Sequence, residues 1–431
     1  MKSKRLKPRR MVVLGFLSII LLGTVLLMLP AASATGRGIP FVDSLFTSTS
    51  AVCVTGLVSV DAGTSFSLFG QVVLAALIQI GGLGITSIGV IVILSAGGRF
   101  GIGKQRLIKE SLNLSSGKGL TAVVRAVLYV TVAFELLGAV FSYISFSRDF
   151  STGDAIGVSL FHSIAAFNNA GFDVLGDFQS LTGYRSDVWL CLVTSGLIIF
   201  GGLGFFVISE VASGKSPRKW SLQTKVVLSA TLMLLAAGTL LLKFTEGSSF
   251  SWLDAFFQSV SARTAGFASV DIGSMSKAGL LVLMVLMFIG ASPGSTGGGV
   301  KTTTFFVLFQ KARSVIFNKH CAAFKRKIPE SVVTKAFTVF TMAIGVIIIS
   351  TFVVCVLEPE FTFQQVFFEI ISAYGTTGLS TGITPSLCAA SKIIISVTMF
   401  VGRLGPLTIA TIWLNRDVPA VTYSEEDVTI G

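Results

Sequence analysis

Four short segments of the chain share one pattern of small, hydroxyl-bearing and glycine residues. In each segment a phenylalanine is followed ten positions later by a glycine, and the next residue is leucine or phenylalanine. One such match means little, but four in one chain predict a fourfold internal repeat. The segments are FTSTSAVCVTGL (Phe46–Leu57), FHSIAAFNNAGF (Phe161–Phe172), FFQSVSARTAGF (Phe256–Phe267) and FEIISAYGTTGL (Phe368–Leu379).

The chemistry available to these segments is that of their main chain. Irregular backbone within a bilayer is tolerated only where it is buried in protein or lines water. Four equivalent loops can meet on one axis and present stacked rings of carbonyl oxygens, which replace the hydration shell of a cation. Glycine supplies backbone angles that other residues resist, and each preceding half-helix directs about −0.5 charge at the axis from its C-terminus. The pattern therefore predicts an ion-coordinating filter around Gly56, Gly171, Gly266 and Gly378.

Long apolar runs separate the four segments. Hydrophobic residues make up 52% of the chain, charged residues 13%, and the mean hydropathy is +0.82, whereas soluble domains carry roughly 25% charged residues. Runs of about 20 apolar residues are long enough to cross a bilayer. We predict eight crossings, at Met11–Leu29, Val72–Leu94, Leu120–Phe146, Val188–Val211, Val226–Phe244, Ala278–Ile289, Ala336–Leu357 and Ile393–Leu414. The first run is longer than a secretory signal, although Ala32–Ala34 resembles a cleavage site and keeps that alternative open.

Basic residues lie in alternate connections between the crossings, and this asymmetry accounts for the net charge of +12. The positive-inside rule then puts the N-terminus and, after eight crossings, the C-terminus in the cytoplasm. Attraction of these connections to an anionic bilayer explains the charge without a nucleic-acid partner. The five cysteines show no metal-ligand spacing, and the two histidines have no convincing nucleophile partner, so we expect no enzyme activity.

The predicted fold class is an all-α membrane protein of four tandem repeats around a pseudo-fourfold pore. Each repeat contains an outer helix, a re-entrant pore half-helix, a glycine-bearing filter loop and an inner helix. Second glycine elements follow at Ile80, Phe200, Ile289 and Val401, and we interpret the first two mainly as sites of close helix packing. The repeats are residues 1–98 with a basic cytoplasmic N-terminus, 99–213 with a cytoplasmic linker, 214–318 with a gating loop at 290–301, and 319–431 with a cytoplasmic tail.

The third inner helix is interrupted by five glycines and a proline in FIGASPGSTGGGVKTTT, Phe288–Thr304. Unwound segments near the middle of a bilayer mark transport paths. Lys301 is expected to snorkel towards the cytoplasm. Arg403 lies within the fourth inner helix. A charged side chain inside the membrane suggests a functional role, and a structural salt bridge is the alternative. Glu135 is expected to pair with a neighbouring polar group.

Over essentially its whole length the chain resembles the Trk/Ktr/HKT superfamily of K⁺ transporters, and within it the KtrB-like membrane subunits of bacterial Ktr systems. The Ktr branch is favoured by eight crossings without an extra N-terminal hairpin and by the ending SEEDVTIG. The motifs that carry the resemblance are TSAVCVTGL, FNNAGF, SARTAGF, SAYGTTGLSTG, PGSTGGGVKTTT and VGRLGPLT.

The resemblance implies two sets of site residues. The filter set binds K⁺ through its carbonyl oxygens, with side chains mostly turned away and Arg263 turned outward and paired. The gating set forms an intramembrane loop beneath the filter, with Arg403 raising the barrier for K⁺ until the loop moves. The filter residues are Cys53, Val54, Thr55, Gly56, Asn168, Asn169, Ala170, Gly171, Arg263, Thr264, Ala265, Gly266, Gly375, Thr376, Thr377 and Gly378; the gating residues are Gly290, Ser292, Pro293, Gly294, Ser295, Thr296, Gly297, Gly298, Gly299, Lys301 and Arg403.

The resemblance also implies the function. It implies a channel-like K⁺-translocating uptake subunit in the bacterial cell membrane, a homodimer with one pore per protomer. A cytosolic ring of nucleotide-binding RCK subunits would dock on the basic inner loops and supply the gating nucleotide, because no cofactor is expected on this chain. Na⁺ would act as an activator. The alternative is a TrkH-like symporter that couples K⁺ uptake to H⁺ or Na⁺.

Overall fold

The computed structural model describes residues 8–84 and 120–411, which are almost entirely helical. One short hairpin pairs Ala322–Ala323 with Arg326–Lys327. The helices follow the predicted order of outer helix, half-helix, glycine loop and inner helix in each repeat. The predicted fold class is confirmed, with outer helices at Pro8–Met28, Leu120–Phe146, Leu222–Glu246 and Glu330–Leu357.

The four outer helices cross the membrane. Each has 21 to 28 residues, and at 1.5 Å per residue the shortest spans about 30 Å, the thickness of the hydrocarbon core. In the described ranges these four helices are long and apolar enough to cross by themselves, and a bent helix pair in the second repeat makes a fifth. They leave many large apolar side chains exposed, as a lipid-facing surface requires.

The half-helices are too short to cross and begin with strong local signals. Half-helices 1 to 4 are Phe41–Cys53, Thr152–Phe167, Trp252–Ser261 and Phe363–Gly375. Ser251 and Thr362 form capping boxes with the third residue of their helices, which satisfies backbone N–H groups at each start. The starts of half-helices 3 and 4 are therefore specified locally.

The sequence analysis expected an interruption only in inner helix 3, but inner helices 2 and 4 are interrupted as well, and inner helix 1 ends at Leu83. The four inner helices are Leu68–Leu83, Val188–Leu203, Lys277–Phe288 and Ala389–Leu404. Gly84, Gly204 and Gly405 follow three of them at φ +78°, +92° and +83°, angles that glycine adopts without strain. At the predicted crossing 188–211 the chain bends by 98° at Gly204 before the helix Phe205–Ala212, so this segment is a bent helix pair and not one straight helix.

Two further helices follow inner helices 3 and 4, at Thr302–Ile316 and Pro406–Ala410. The first, named the post-loop helix below, packs on outer helices 3 and 4. Three predictions lie outside the described residues. They are the part of the predicted crossing at 72–94 that follows Gly84, the repeat boundary at 98 and the tail after residue 411.

The contact between outer helix and half-helix repeats in three of the four units. Ser48, Ser163 and Ser259 each donate a hydrogen bond to a carbonyl oxygen of the outer helix, at 2.7, 2.6 and 3.0 Å. A glycine faces each serine hydroxyl, and a methyl group on it would collide with that oxygen. Small residues thus bring the two helices close enough for the bond to form. The glycines are Gly23, Gly138 and Gly238.

An ion pair joins the last repeat to the first. Lys392 at the start of inner helix 4 donates to Asp43 of half-helix 1 at 2.9 Å, with side chains 11% and 19% exposed. A second pair joins Arg185, before inner helix 2, to Asp254 of half-helix 3 at 2.8 Å. The first contact links the two ends of the chain, and the second links two consecutive repeats.

Candidate functional site

The glycine loops have the same backbone conformation in all four repeats. The glycine that recurs in all four segments has a positive φ, and so does the residue two positions before it. The residue between them does not, so the sign of φ alternates over three residues. The pairs are Val54 (+56°) with Gly56 (+92°), Asn169 (+57°) with Gly171 (+66°), Thr264 (+73°) with Gly266 (+81°), and Thr376 (+51°) with Gly378 (+94°).

The left-handed residue before each glycine was not foreseen from the sequence. Three of the four are β-branched, and such residues are rare at positive φ. A conformation of this kind costs about 1–3 kcal/mol and persists only where the surroundings enforce it. Since local propensity opposes it at Val54, Thr264 and Thr376, no sequence signal could have identified it.

The four glycines adjoin one another in a closed ring. A methyl group placed on any one of them would collide with a main-chain carbonyl oxygen of the next repeat. For Gly56 the distance from that methyl carbon to the oxygen would be 2.5 Å, and for Gly171 it would be 2.6 Å. The collisions run from Gly56 to Ala170, from Gly171 to Ala265, from Gly266 to Thr377 and from Gly378 to Thr55, which closes the ring (the glycine ring below).

Buried hydrogen bonds hold the loops in this conformation. In repeat 1, the Gly56 N–H donates to the Ser50 hydroxyl at 3.0 Å and the Thr55 N–H to the Ser50 carbonyl at 2.8 Å. In repeat 4, Gly378 and Thr377 make the same two bonds to Ser372, at 3.0 and 2.9 Å. One serine at the end of the half-helix therefore satisfies the donors of the following loop.

The second glycine elements bring inner helices against the ends of the half-helices. A methyl group on Gly81, Gly201 or Gly402 would collide with the carbonyl oxygen of Val52, Phe167 or Tyr374 respectively. This contact supports the interpretation of IGGLG and FGGLG as close-packing elements, and extends it to VGRLG.

The intramembrane loop, residues 289–301, packs against the same helix ends in repeat 2. Ser292 N–H donates to the Gly202 carbonyl at 3.1 Å. The Thr296 hydroxyl lies 3.2 Å from the Gly201 carbonyl oxygen and 3.4 Å from that of Phe167. Both loop residues are fully buried, so this half of the loop is enclosed by repeat 2.

The other half of the loop touches the left-handed residues of repeats 3 and 4. Gly298 N–H donates to the Thr376 hydroxyl at 2.9 Å, and Gly299 N–H donates to the Gly402 carbonyl at 3.3 Å. A methyl group on Gly297 would collide with the Thr264 hydroxyl. The loop is therefore in contact with the glycine loops themselves.

Two cations are bonded to loop carbonyls. Arg403 donates to the carbonyl oxygens of Thr296 in the loop and Gly81 in inner helix 1. The Lys301 ammonium donates to the Gly297 carbonyl at 2.7 Å and to that of Gly298 at 3.3 Å. The expectation that Lys301 snorkels away is wrong, because the free loop carbonyls are nearer acceptors. Through Arg403 the loop also reaches repeat 1.

The two atypical residues at the loop entrances differ from each other. The Asn168 amide donates to Glu135 Oε1 at 3.0 Å and to Gln79 Oε1 at 2.8 Å, which confirms that Glu135 pairs with a polar neighbour. Arg263 is 7% exposed, and its Nε has no hydrogen-bond partner. The expected pairing of Arg263 is wrong: among described residues no carboxylate lies within ion-pair distance of it.

A buried carboxylate that sequence reasoning missed holds the outer end of the fourth glycine loop. Glu369 on half-helix 4 is 1% exposed. Its Oε1 accepts from Ser380 Oγ at 2.7 Å and from Thr381 N at 2.8 Å, and its Oε2 accepts from Thr384 Oγ1 at 2.8 Å. The available signal was an acidic residue in an apolar half-helix, followed by a hydroxyl-rich loop.

Comparison with known proteins identifies the family. The model of the TrkH family, described as cation transport protein, matches residues 10–252 and 224–416. The chain belongs to the TrkH family. It is therefore a multi-pass cation transport protein and not an enzyme, as predicted.

Several curated relatives match over the full length. The chain is 37% identical to the potassium/sodium uptake protein NtpJ of Enterococcus hirae, over 99% of this chain and 98% of the relative. It is 36% identical to Ktr system potassium uptake protein B of Bacillus subtilis, over 100% and 98%. The corresponding protein of Vibrio alginolyticus is 38% identical, over 100% and 96%.

A solved structure shows the same fold. The crystal structure of the potassium transporter TrkH from Vibrio parahaemolyticus superimposes with a TM-score of 0.73 at 20% identity. The match covers 96% of this chain and 88% of that chain. At this identity the likeness establishes the fold.

Proposed function

We propose that the protein moves K⁺ across the bacterial cell membrane through the glycine ring. The observation that best supports this proposal is the closure of the ring, since four loops from four repeats bring main-chain carbonyls together at one point. Carbonyl oxygens in rings replace the water around a K⁺ ion. The names of the full-length relatives as potassium uptake proteins support the choice of ion.

The ion-binding groups in this proposal are the carbonyls of the four loops, at 53–56, 168–171, 263–266 and 375–378. In each loop the sign of φ alternates over three residues, from Val54 to Gly56 in repeat 1. This alternation turns successive carbonyls towards the same side. The four half-helices end at this place, each contributing about −0.5 charge. Because the loop donors are already satisfied by Ser50 and Ser372, a cation binds there without unfolding the loops.

We propose further that the intramembrane loop is the gate. Its contacts with repeats 2, 3 and 4, and through Arg403 with repeat 1, support a position across the inner end of the glycine loops. Lys301 and Arg403 add positive charge there, which opposes a cation. Single neutral hydrogen bonds contribute about 0.5–1.5 kcal/mol each, so a modest force from a partner displaces the loop.

The remaining assignments rest on family and charge. The names of the relatives as Ktr system proteins support a complex with other Ktr components, for which we propose a homodimer and a cytosolic nucleotide-binding RCK ring. The basic connections favour a cytoplasmic position for both termini. The name of the Enterococcus hirae relative mentions sodium as well as potassium, in keeping with a role for Na⁺ as activator.

A matched pair of glycine variants tests the ion path. Gly171→Ala adds a methyl group to the ring at φ +66°, whereas Gly157→Ala adds one on half-helix 2, where nothing lies within 4 Å. In a bacterium deficient in K⁺ uptake, we expect Gly157→Ala to restore growth at low K⁺ and Gly171→Ala to fail, with equal amounts of both in the membrane. Normal growth with Gly171→Ala would contradict the ion path.

Flux in liposomes decides between the channel-like mechanism and a coupled symporter. With the H⁺ and Na⁺ gradients clamped at zero, we expect tracer uptake to follow the K⁺ gradient alone. Uptake against the K⁺ gradient, driven by an imposed H⁺ or Na⁺ gradient, would instead establish coupling.

A further inference from the structure

A cavity of about 720 Å³ lies between outer helix 3, the post-loop helix and the hairpin that precedes outer helix 4. The lining includes three basic side chains, Arg313, Lys319 and His320. It also includes large apolar side chains, among them Met233, Phe306 and Phe309, which are called the apolar wall below. The lining thus combines basic and hydrophobic side chains.

The basic side chains of the cavity have no acidic counterpart. Of the residues that line it, none is an aspartate or a glutamate. Within the described part of the chain, Arg313 and Lys319 take part in no ion pair, and the nearby Lys311–Glu330 pair lies outside the lining. A ligand with a negative charge would therefore meet no acidic side chain in the lining.

The apolar wall lies at the depth of lipid chains. Outer helix 3 begins at Leu222, directly after Trp220, and tryptophan is enriched at the membrane–water interface. Met233 lies eleven residues further on, about 16 Å along the helix axis at 1.5 Å per residue. Met233 and Phe309 are 56% and 58% exposed, as expected for side chains that face lipid.

The walls of the cavity are fixed in place. Gln310 Nε2 donates to the Ala322 carbonyl at 2.5 Å, which ties the post-loop helix to the hairpin. Behind it, Val307, Cys321 and Ile328 form a small buried cluster with residues of outer helix 4. The cavity is therefore a built feature of the fold and not a gap between mobile segments.

We propose that this cavity binds an anionic phospholipid of the cytoplasmic leaflet. The phosphate group bonds to Arg313 and Lys319, beside His320, and an acyl chain lies along Phe306, Phe309 and Met233. Basic pockets between membrane helices on the cytoplasmic side bind anionic headgroups. A free phosphate or nucleotide would leave the apolar wall without a partner, which favours a lipid. The leaflet follows from the orientation proposed above, whereas the binding itself does not depend on K⁺ transport.

The proposed lipid site adjoins the helix that follows the proposed gate. The post-loop helix starts at Thr302, immediately after the intramembrane loop, and the Thr302 hydroxyl lies 3.2 Å from that of Ser292 within the loop. A lipid wedged beside Phe306, four residues further along, restrains the helix from which the loop extends. The bound lipid is thus in a position to bias the gate.

Native mass spectrometry of the purified full-length protein measures the binding. The probes are dioleoylphosphatidylglycerol, which is anionic, and dioleoylphosphatidylcholine, which is not. The test variant is Arg313→Gln with Lys319→Gln. The control is Arg326→Gln with Lys327→Gln, which makes the same change of charge on the outer strand of the hairpin, away from the cavity lining.

We expect the wild type and the control to prefer phosphatidylglycerol, and the test variant to bind it about 30-fold more weakly. Equal binding of the two lipids by the wild type, or equal losses in both variants, would overturn the proposal. Competition by soluble glycerol phosphate at the same concentration would assign the site to free phosphates instead. Because the readout is lipid binding, a protein that fails to transport K⁺ still gives a result.

Discussion

Removal of the buried carboxylate of Glu369 should loosen the fourth glycine loop while leaving the half-helix folded. Glu369 accepts hydrogen bonds from Ser380, Thr381 and Thr384, which begin two residues after Gly378. In Glu369→Ala these donors lose their acceptor. In Glu369→Gln the side-chain oxygen still accepts from Ser380 and Thr381, and the Thr384 hydroxyl rotates to accept from the new amide.

The magnitude follows from the bonds that are lost. Hydrogen bonds to a charged group are worth about 1.5–3 kcal/mol, and an unsatisfied buried donor costs about 1–3 kcal/mol. Ser380 and Thr384 can bond to each other, since their hydroxyl oxygens are 3.2 Å apart, so the Thr381 N–H bears most of the loss. We expect about 2–3 kcal/mol of local destabilisation for Glu369→Ala and about 1 kcal/mol for Glu369→Gln.

Tracer uptake of Rb⁺ and Na⁺ into liposomes provides the assay. A loop destabilised by more than 1.4 kcal/mol leaves its native position at least tenfold more often, so we expect the Rb⁺/Na⁺ uptake ratio of Glu369→Ala to fall by about tenfold or more. Glu369→Gln should stay within a few-fold of the wild type. Glu360→Ala, at an exposed site just before the same half-helix, is the control.

Unchanged discrimination in Glu369→Ala would refute the reasoning, because the carboxylate would then not hold the loop. An equal loss in Glu360→Ala would refute it as well, since the effect would come from the negative charge at the outer face and not from the buried bonds.

Two further predictions follow from other contacts. Thr376→Val removes the acceptor of the Gly298 N–H, and a loss of about 1 kcal/mol should raise partner-independent K⁺ flux about fivefold. The control Thr351→Val, which removes a buried hydroxyl without a hydrogen-bond partner on outer helix 4, should leave flux unchanged, and equal effects would argue against the gate. A double-mutant cycle on Asp43→Asn and Lys392→Met, measured by thermal unfolding in detergent, should give a coupling free energy of about 0.5–3 kcal/mol, because the ion pair is mostly buried. Additive losses of stability would show that the pair does not hold the repeats together.

Much of the fold could be predicted from the sequence because its signals are local. An apolar run specifies an outer helix, and a capping residue such as Ser251 or Thr362 starts a half-helix. Interruption of inner helices 2 and 4 at Gly204 and Gly405 was missed, since one glycine in an apolar run is compatible with either a packed helix or a break.

The candidate site was predictable in part. Gly56 and its three equivalents stood out because glycine at a fixed position repeats four times. The side chains of Lys301, Arg263 and Glu369 did not follow from the pattern. Their surroundings come from segments distant in sequence, such as the Thr381 N–H for Glu369, and no local rule identifies which acceptor or donor is nearest.

The sequence by itself determined that four similar units cross or enter a membrane and that each carries one glycine loop. Only the tertiary structure decided that these loops form a closed ring, that β-branched residues such as Val54 and Thr376 adopt left-handed backbone, and that the intramembrane loop touches them. The physical reason is that helix formation and chain reversal depend on neighbouring residues. Ring closure and enforced backbone strain depend on contacts between repeats more than 90 residues apart.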